Sequence, residues 1–114
     1  MQNQGFKESD WKQFRKKMPD WQENYMDRLN KEYIELLSGE GNASAKFWAL
    51  DERIKEDKKH KGVQARMSRS EMIFNILNLL NEGVITRDDL ADFSDELKDT
   101  IRAFTDRNFL SYDD

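Results

Sequence analysis

The sequence has no cysteine, only one proline and no long hydrophobic segment, and each absence excludes a class of protein. Without cysteine there can be no disulfide bond, no thiolate nucleophile and no cysteine-bound zinc, which suits a reducing cytoplasm. No apolar stretch approaches the roughly 20 residues that a membrane-spanning helix needs. Residues 1–10 are polar, unlike the basic and then apolar parts of a signal peptide. We therefore expect a cytoplasmic protein with no membrane association.

Strand signals are also scarce, because no segment alternates apolar and polar residues for long. Four of the five glycines fall where helices should end, at Gly39, Gly41, Gly62 and Gly83. With 114 residues, of which 37% are hydrophobic, the chain can build one core. We predict an all-α protein, a single compact bundle of about five or six helices. It would span residues 1–114 as one domain, with 1–8 flexible and 109–114 as a tail.

Capping residues and apolar spacing mark the expected helices. A short first helix capped by Ser9 or Asp10 would end at Pro19, where a second helix would begin and run to Ser38. The remaining helices would start at four predicted caps, which are Asn42 or Ser44, Ser68 with Glu71, Thr86 with Asp89, and Ser94. The helix Ser68 to Glu82 is apolar all round, which is typical of a central helix or a dimer interface.

Large apolar side chains are assigned to the core first, because the composition leaves few to spare. Phe47, Leu50 and Ile54 share one face of the third helix, with Trp48 beside them. We expect at least two of the three tryptophans to be buried. The charged segment from Lys55 to Lys61 should be solvated, with His60 exposed at the helix end.

The sequence predicts no catalytic, cofactor-binding or metal-binding residues. The single histidine, His60, has only Glu56 one turn away, which is too few ligands for a metal site. A twelve-residue calcium loop, a glycine-rich phosphate loop and a nucleophile elbow are all missing. We therefore expect a protein that is not an enzyme and needs no cofactor.

Charge is distributed unevenly along the chain. Residues 1–69 hold 15 basic and 12 acidic side chains and residues 70–114 hold 4 and 11, so the two parts carry +3 and -7. A set of carboxylates on helix starts could attract a basic protein or compete for a groove made for phosphates. The predicted partner-binding residues are Glu82, Asp88, Asp89, Asp92, Asp95, Glu96 and Asp99.

Two basic clusters support an alternative function in nucleic-acid binding. The candidate contacts are Lys12, Arg15, Lys16, Lys17, Lys55, Lys58, Lys59, Lys61, Arg66 and Arg69. The segment from Ile76 to Leu110 has roughly the spacing of a winged-helix motif, with Phe109 to Tyr112 starting a wing. The acidic residues of the supposed DNA-reading helix, Ser94 to Phe104, argue against that function.

Two resemblances accompany these patterns. The segment Leu79 to Thr86, followed by Asp88, Asp89 and Leu90, is similar to short C-terminal oligomerisation modules of bacterial proteins. A wider set of segments comprises Trp11-Lys12, Phe14-Arg15, Pro19 to Met26, Leu29-Asn30, Glu32 to Gly41, Lys46 to Trp48, Arg53 to Lys59, Gly62-Val63 and Phe93 to Lys98. This set resembles a group of short proteins of gut Firmicutes, some of which carry transporter labels, and it implies a stand-alone cytoplasmic protein.

The hypothesis that joins these observations is a non-enzymatic protein-interaction module, monomeric or homodimeric, whose acidic surface binds a basic protein partner. Its most specific form is a mobile-element inhibitor of a nucleic-acid enzyme, similar to anti-CRISPR proteins. The alternative is a DNA-associated regulator, dimeric through the apolar helix, that uses the basic N-terminal half.

Overall fold

The fold is known from a computed structural model that describes residues 7–113, with side chains described for 7–106. The described part contains helices and turns and no strand, which confirms the all-α prediction. Its four α-helices are α1 (Glu8–Ser38), α2 (Ala43–Asp57), α3 (Met72–Asn81) and α4 (Asp95–Asp113). One turn of 3-10 helix, Arg69–Glu71, precedes α3, and another, Arg87–Leu90, follows it. The predicted five or six helices therefore exceed the four found in residues 7–113.

The helix α1 is continuous through Pro19, so the predicted break at that residue is wrong. Proline removes one helical hydrogen bond and costs about 3 kcal/mol inside a helix. Pro19 lies on the exposed side of α1, while a buried stripe continues on the other side from before the proline to after it. The stripe consists of Trp11, Phe14, Met18, Trp21, Tyr25 and Leu29. Burying these six side chains offsets the lost hydrogen bond.

The start of α1 is fixed to the start of α4 by a buried carboxylate. Asp10 is only 2% exposed and accepts hydrogen bonds from the Ser94 backbone N–H at 2.8 Å and the Ser94 hydroxyl at 2.6 Å. Lys7 occupies the cap position of α1, so neither predicted cap, Ser9 nor Asp10, is the first residue outside the helix. Residues 1–6 of the segment predicted to be flexible lie outside the described residues.

The helices α1 and α2 form an antiparallel hairpin. Asn42 caps α2 as predicted, since its side chain accepts a hydrogen bond from the Ala45 N–H at 2.9 Å. The radius of gyration is 17.1 Å and the molecule measures 55 × 37 × 23 Å, whereas a compact domain of this length would have a radius of about 13 Å. The predicted bundle is thus less compact than expected, because the 31-residue α1 spans about 46 Å.

The core packs the stripe of α1 against α3, α4 and the residues between them. Its remaining buried apolar members are Met72, Ile76, Leu79, Val84, Ile85, Leu90, Phe93, Leu97 and Ile101. The predicted capping box at Ser68 is wrong, since Ser68 makes no side-chain cap and its hydroxyl lies 3.0 Å from that of Ser70. A 3-10 turn of three residues lies between Ser68 and α3, which begins only at Met72.

The predicted caps around α4 agree better with the structure. Thr86 and Asp89 form the expected capping box, although it opens a 3-10 turn that ends at Leu90. Ser94 accepts a hydrogen bond from the Leu97 N–H at 3.2 Å and so caps α4. The helix continues to Asp113, so the segment Phe109 to Tyr112 is helical. The predicted wing is therefore wrong, and most of the predicted tail belongs to α4.

Candidate interaction surfaces

Several polar contacts join α1 and α2 of the hairpin. Asp57 is the only buried residue of α2. It accepts a hydrogen bond from the Tyr33 hydroxyl at 2.6 Å and forms an ion pair with Arg53 Nε at 3.1 Å. Arg53 also pairs with Glu32 of α1 and lies 5.6 Å from the centre of the Tyr33 ring. The expectation that the whole charged end of α2 is solvated fails at Asp57, because this carboxylate faces α1.

His60 is also less exposed than predicted. It is half-buried, and its Nδ1 lies 2.7 Å from the Tyr25 hydroxyl. Burial raises the pKa of Tyr25, and burial together with the hydrogen bond to Asp57 raises the pKa of Tyr33 to about 12. Both phenols are therefore neutral hydrogen-bonding groups at pH 7, and neither is activated as a nucleophile or base.

The outward side of the hairpin carries large apolar side chains. Phe47 is 63% exposed and Trp48 is 62% exposed, and the two rings lie edge to face with centres 5.0 Å apart. We call Phe47 and Trp48 the aromatic pair. Ile34 and Leu37, one helical turn apart on α1, are exposed as well. Trp11 and Trp21 are buried, which confirms that at least two tryptophans belong to the core.

The predicted acidic residues do not form one uncommitted surface. Glu82 differs from the other acidic residues, because its carboxylate accepts hydrogen bonds from the backbone N–H groups of Lys61 at 2.8 Å and Gly62 at 3.3 Å. Its position fixes the turn after α2 against the end of α3. This contribution to the fold leaves Glu82 less able to bind a partner.

The other six acidic residues are exposed, in or near the 3-10 turn Arg87–Leu90 and the first turns of α4. Four of them are engaged within the chain, in the contacts Asp89 with Thr86, Asp92 with Lys17, Asp95 with Lys98 and Asp99 with Arg102. Among the described side chains, the carboxylates of Asp88 and Glu96 have no such partner. Exposed ion pairs are weak, so the paired carboxylates can still exchange partners.

The basic residues are divided between two environments. On and after α2, Lys55 pairs with Asp51, Lys59 pairs with Glu56, and the Lys61 ammonium lies 5.5 Å from the Phe74 ring centre. Lys58 of the same group is exposed. Two of these four lysines are therefore already paired with carboxylates of α2.

Basic residues that are distant in the sequence meet at Trp11. Arg15 and Arg69 place their guanidinium carbons 5.8 Å and 5.7 Å from the centre of the Trp11 ring. Lys12 and Lys16 are exposed on the same stretch of α1, whereas Lys17 is half-buried. Arg66 lies 3.9 Å from Glu71, at the edge of ion-pair distance. The two basic clusters identified in the sequence thus converge in part.

Nothing in the described residues suggests bound metal or a membrane span. No group of three or more histidine, aspartate or glutamate side chains in this part of the chain is arranged to hold a metal ion. None of its helices combines the length and the apolar character that crossing a bilayer requires. Comparison with protein-family models, curated proteins and solved structures gives no match.

Proposed function

We propose that this protein is a non-enzymatic protein-interaction module whose main binding surface is the aromatic pair on the outer side of the hairpin. The observation that carries the proposal is that α2 leaves more than 60% of Phe47 and Trp48 exposed, whereas its other large apolar side chains, Leu50 and Ile54, are half-buried. Exposed aromatic residues are common anchors of protein interfaces. Covering both rings would remove roughly 250 Å² of apolar surface from water, which contributes about 6 kcal/mol before the cost of association.

The charges around the aromatic pair favour an apolar partner surface over a charged groove. Asp51 pairs with Lys55, and Arg53 bridges Glu32 and Asp57, so several charges of α2 are already matched within the hairpin. A partner would gain little by presenting a single sign of charge there. The occupant we propose is an apolar helix face of a different protein.

The acidic residues supply a second form of the same proposal. Asp88 and Glu96 are available for a basic partner, and the paired carboxylates of α4 could be recruited by exchange. This form includes an inhibitor that mimics phosphates in a nucleic-acid enzyme. The aromatic pair is the stronger candidate, because desolvated apolar anchors dominate binding energy while rim charges mainly change association rates.

The test is capture of partners from cells that naturally contain the protein, followed by measurement of Kd with the purified partner. Trp48→Ala should lose the partner, whereas Phe74→Ala, a similarly exposed aromatic on α3, should retain it. Since both positions are exposed, neither change should unfold the chain. A partner that survives Trp48→Ala but is lost from a variant with Asp88→Asn and Glu96→Gln would overturn the aromatic-pair proposal in favour of the acidic surface.

Size-exclusion chromatography with light scattering tests the identity of the occupant. The proposal expects the purified protein to be a monomer, because the occupant it names is a different protein. A dimer that dissociates in Trp48→Ala would instead identify the occupant as a second copy of this chain.

A further inference from the structure

A cluster of positive charge surrounds Trp11, separate from the hairpin. The indole is 8% exposed and is flanked by Arg15 from α1 and by Arg69 from the turn before α3. Each guanidinium lies within 6 Å of the ring centre, a distance at which the aromatic face attracts a cation. Contact with a buried ring restricts both arginines, so they are held in place before any ligand arrives.

Two lysines extend this cluster along α1. Arg15 and Lys16 follow Lys12 by three and four residues, so both lie on the same side of the helix as Lys12. None of the three forms an ion pair with another described side chain. By contrast, Lys55 and Lys59 of the second basic cluster each pair with a carboxylate of α2. The cations near Trp11 thus exceed the anions available to them.

One carboxylate already occupies part of this cluster. The Arg69 guanidinium donates a hydrogen bond to Glu8 at 2.6 Å, and both side chains are more than half exposed. That hydrogen bond lowers the pKa of Glu8, and the charges of Arg69, Lys12 and Arg15 act in the same direction. Glu8 therefore contacts Arg69 directly and lies within the electrostatic field of Lys12 and Arg15.

We infer that Lys12, Arg15, Lys16 and Arg69 form a binding site for the phosphodiester groups of duplex DNA, with Glu8 as an internal anion that competes for Arg69. Arginine suits this ligand because its planar guanidinium can donate two parallel hydrogen bonds to a phosphate. The cations lie along an exposed helix face and do not converge within a pocket, which favours a polymer of phosphates over a single small anion. This inference does not depend on the proposed function, since it uses different residues.

The experiment measures binding of a fluorescein-labelled 30-base-pair duplex by anisotropy at 50 and 200 mM NaCl. If four cations contact phosphates, the wild-type affinity should fall about 150-fold between these salt concentrations. In a variant with Arg15→Gln and Arg69→Gln the fall should be only about 12-fold. A control variant with Lys55→Gln and Lys59→Gln changes the net charge equally and should keep the wild-type salt dependence.

Glu8→Gln should change DNA affinity in the opposite direction to the arginine substitutions. Removing the competing anion should strengthen DNA binding at least threefold, whereas Glu56→Gln, an exposed carboxylate paired with Lys59, should change it less. Far-UV circular dichroism checks that each variant is folded, and Arg15→Lys with Arg69→Lys retains the charges if the glutamines destabilise the chain. Absence of wild-type DNA binding, equal effects of both arginine and lysine pairs, or pyrophosphate binding as tight as that of DNA would each overturn the inference.

Discussion

The buried contact between Asp10 and Ser94 should be one of the strongest single determinants of stability. It joins residues 84 positions apart and brings the starts of α1 and α4 together. Hydrogen bonds to charged groups contribute about 1.5–3 kcal/mol each, and removing the carboxylate also leaves the Ser94 N–H without its acceptor. We expect Asp10→Ala to lower the free energy of unfolding by about 3 kcal/mol. Asp10→Asn, which keeps one acceptor oxygen, should cost about half as much.

Urea denaturation followed by circular dichroism at 222 nm measures this effect, because a change in midpoint at constant slope reports stability alone. Ser94→Ala completes a double-mutant cycle, in which the coupling between the two residues should be about 1.5 kcal/mol. Asp20→Ala, an exposed carboxylate on α1, is the control and should change stability by less than about 0.5 kcal/mol. A loss below about 1 kcal/mol for Asp10→Ala, or no coupling to Ser94, would refute the assignment.

Three further substitutions test other parts of the fold. Pro19→Ala should stabilise the protein by up to about 3 kcal/mol, measured by urea denaturation, because it restores the missing hydrogen bond of α1 on an exposed face; an unchanged or lower stability would show that the helix already compensates for the proline. Gly62→Ala should cost about 1–3 kcal/mol in the same assay, since the added Cβ would lie 2.3 Å from the Tyr25 ring, whereas Gly39→Ala meets only ordinary contacts and should be nearly neutral. Tyr33 should contribute stability that is complete below pH 10 and is lost as the pH rises through 12, because its pKa is higher in the folded than in the unfolded chain. Tyr33→Phe should remove the tyrosine that titrates near pH 12 in the absorbance of the phenolate, and an unchanged titration would contradict the assignment.

The helical fold follows from the sequence because local signals and the core agree at most positions. The caps at Asn42, Thr86 and Ser94 use side-chain oxygens that bond to nearby backbone groups, and such contacts need no information from distant residues. The predicted break at Pro19 is wrong because the rule for proline is local and does not include the apolar residues on both sides. The spacing of Phe14, Met18 and Trp21 already continues one stripe across the proline.

The interaction surfaces were harder to predict, for two physical reasons. Composition assigns most large apolar residues to the core, although Phe47 and Trp48 are adjacent and point about 100° apart, so one neighbouring helix could not bury both. The meeting of Arg15 and Arg69 at Trp11 depends on tertiary packing over more than 50 residues. No local pattern contains that contact.

The polar contacts between α1 and α2 explain how α2 can keep Phe47 and Trp48 exposed to solvent. A helix that is held by apolar burial must turn its largest apolar side chains toward the partner helix. Here part of the contact with α1 is made through Asp57, Arg53 and Tyr33, whose bonds are directional and demand little apolar area, while Leu50 and Ile54 are half-buried. Such contacts stabilise the position of α2 while leaving Phe47 and Trp48 free, so the same helix can belong to the fold and present a binding surface. If so, replacing Asp57 should weaken partner binding through displacement of α2, even though Asp57 itself never touches the partner.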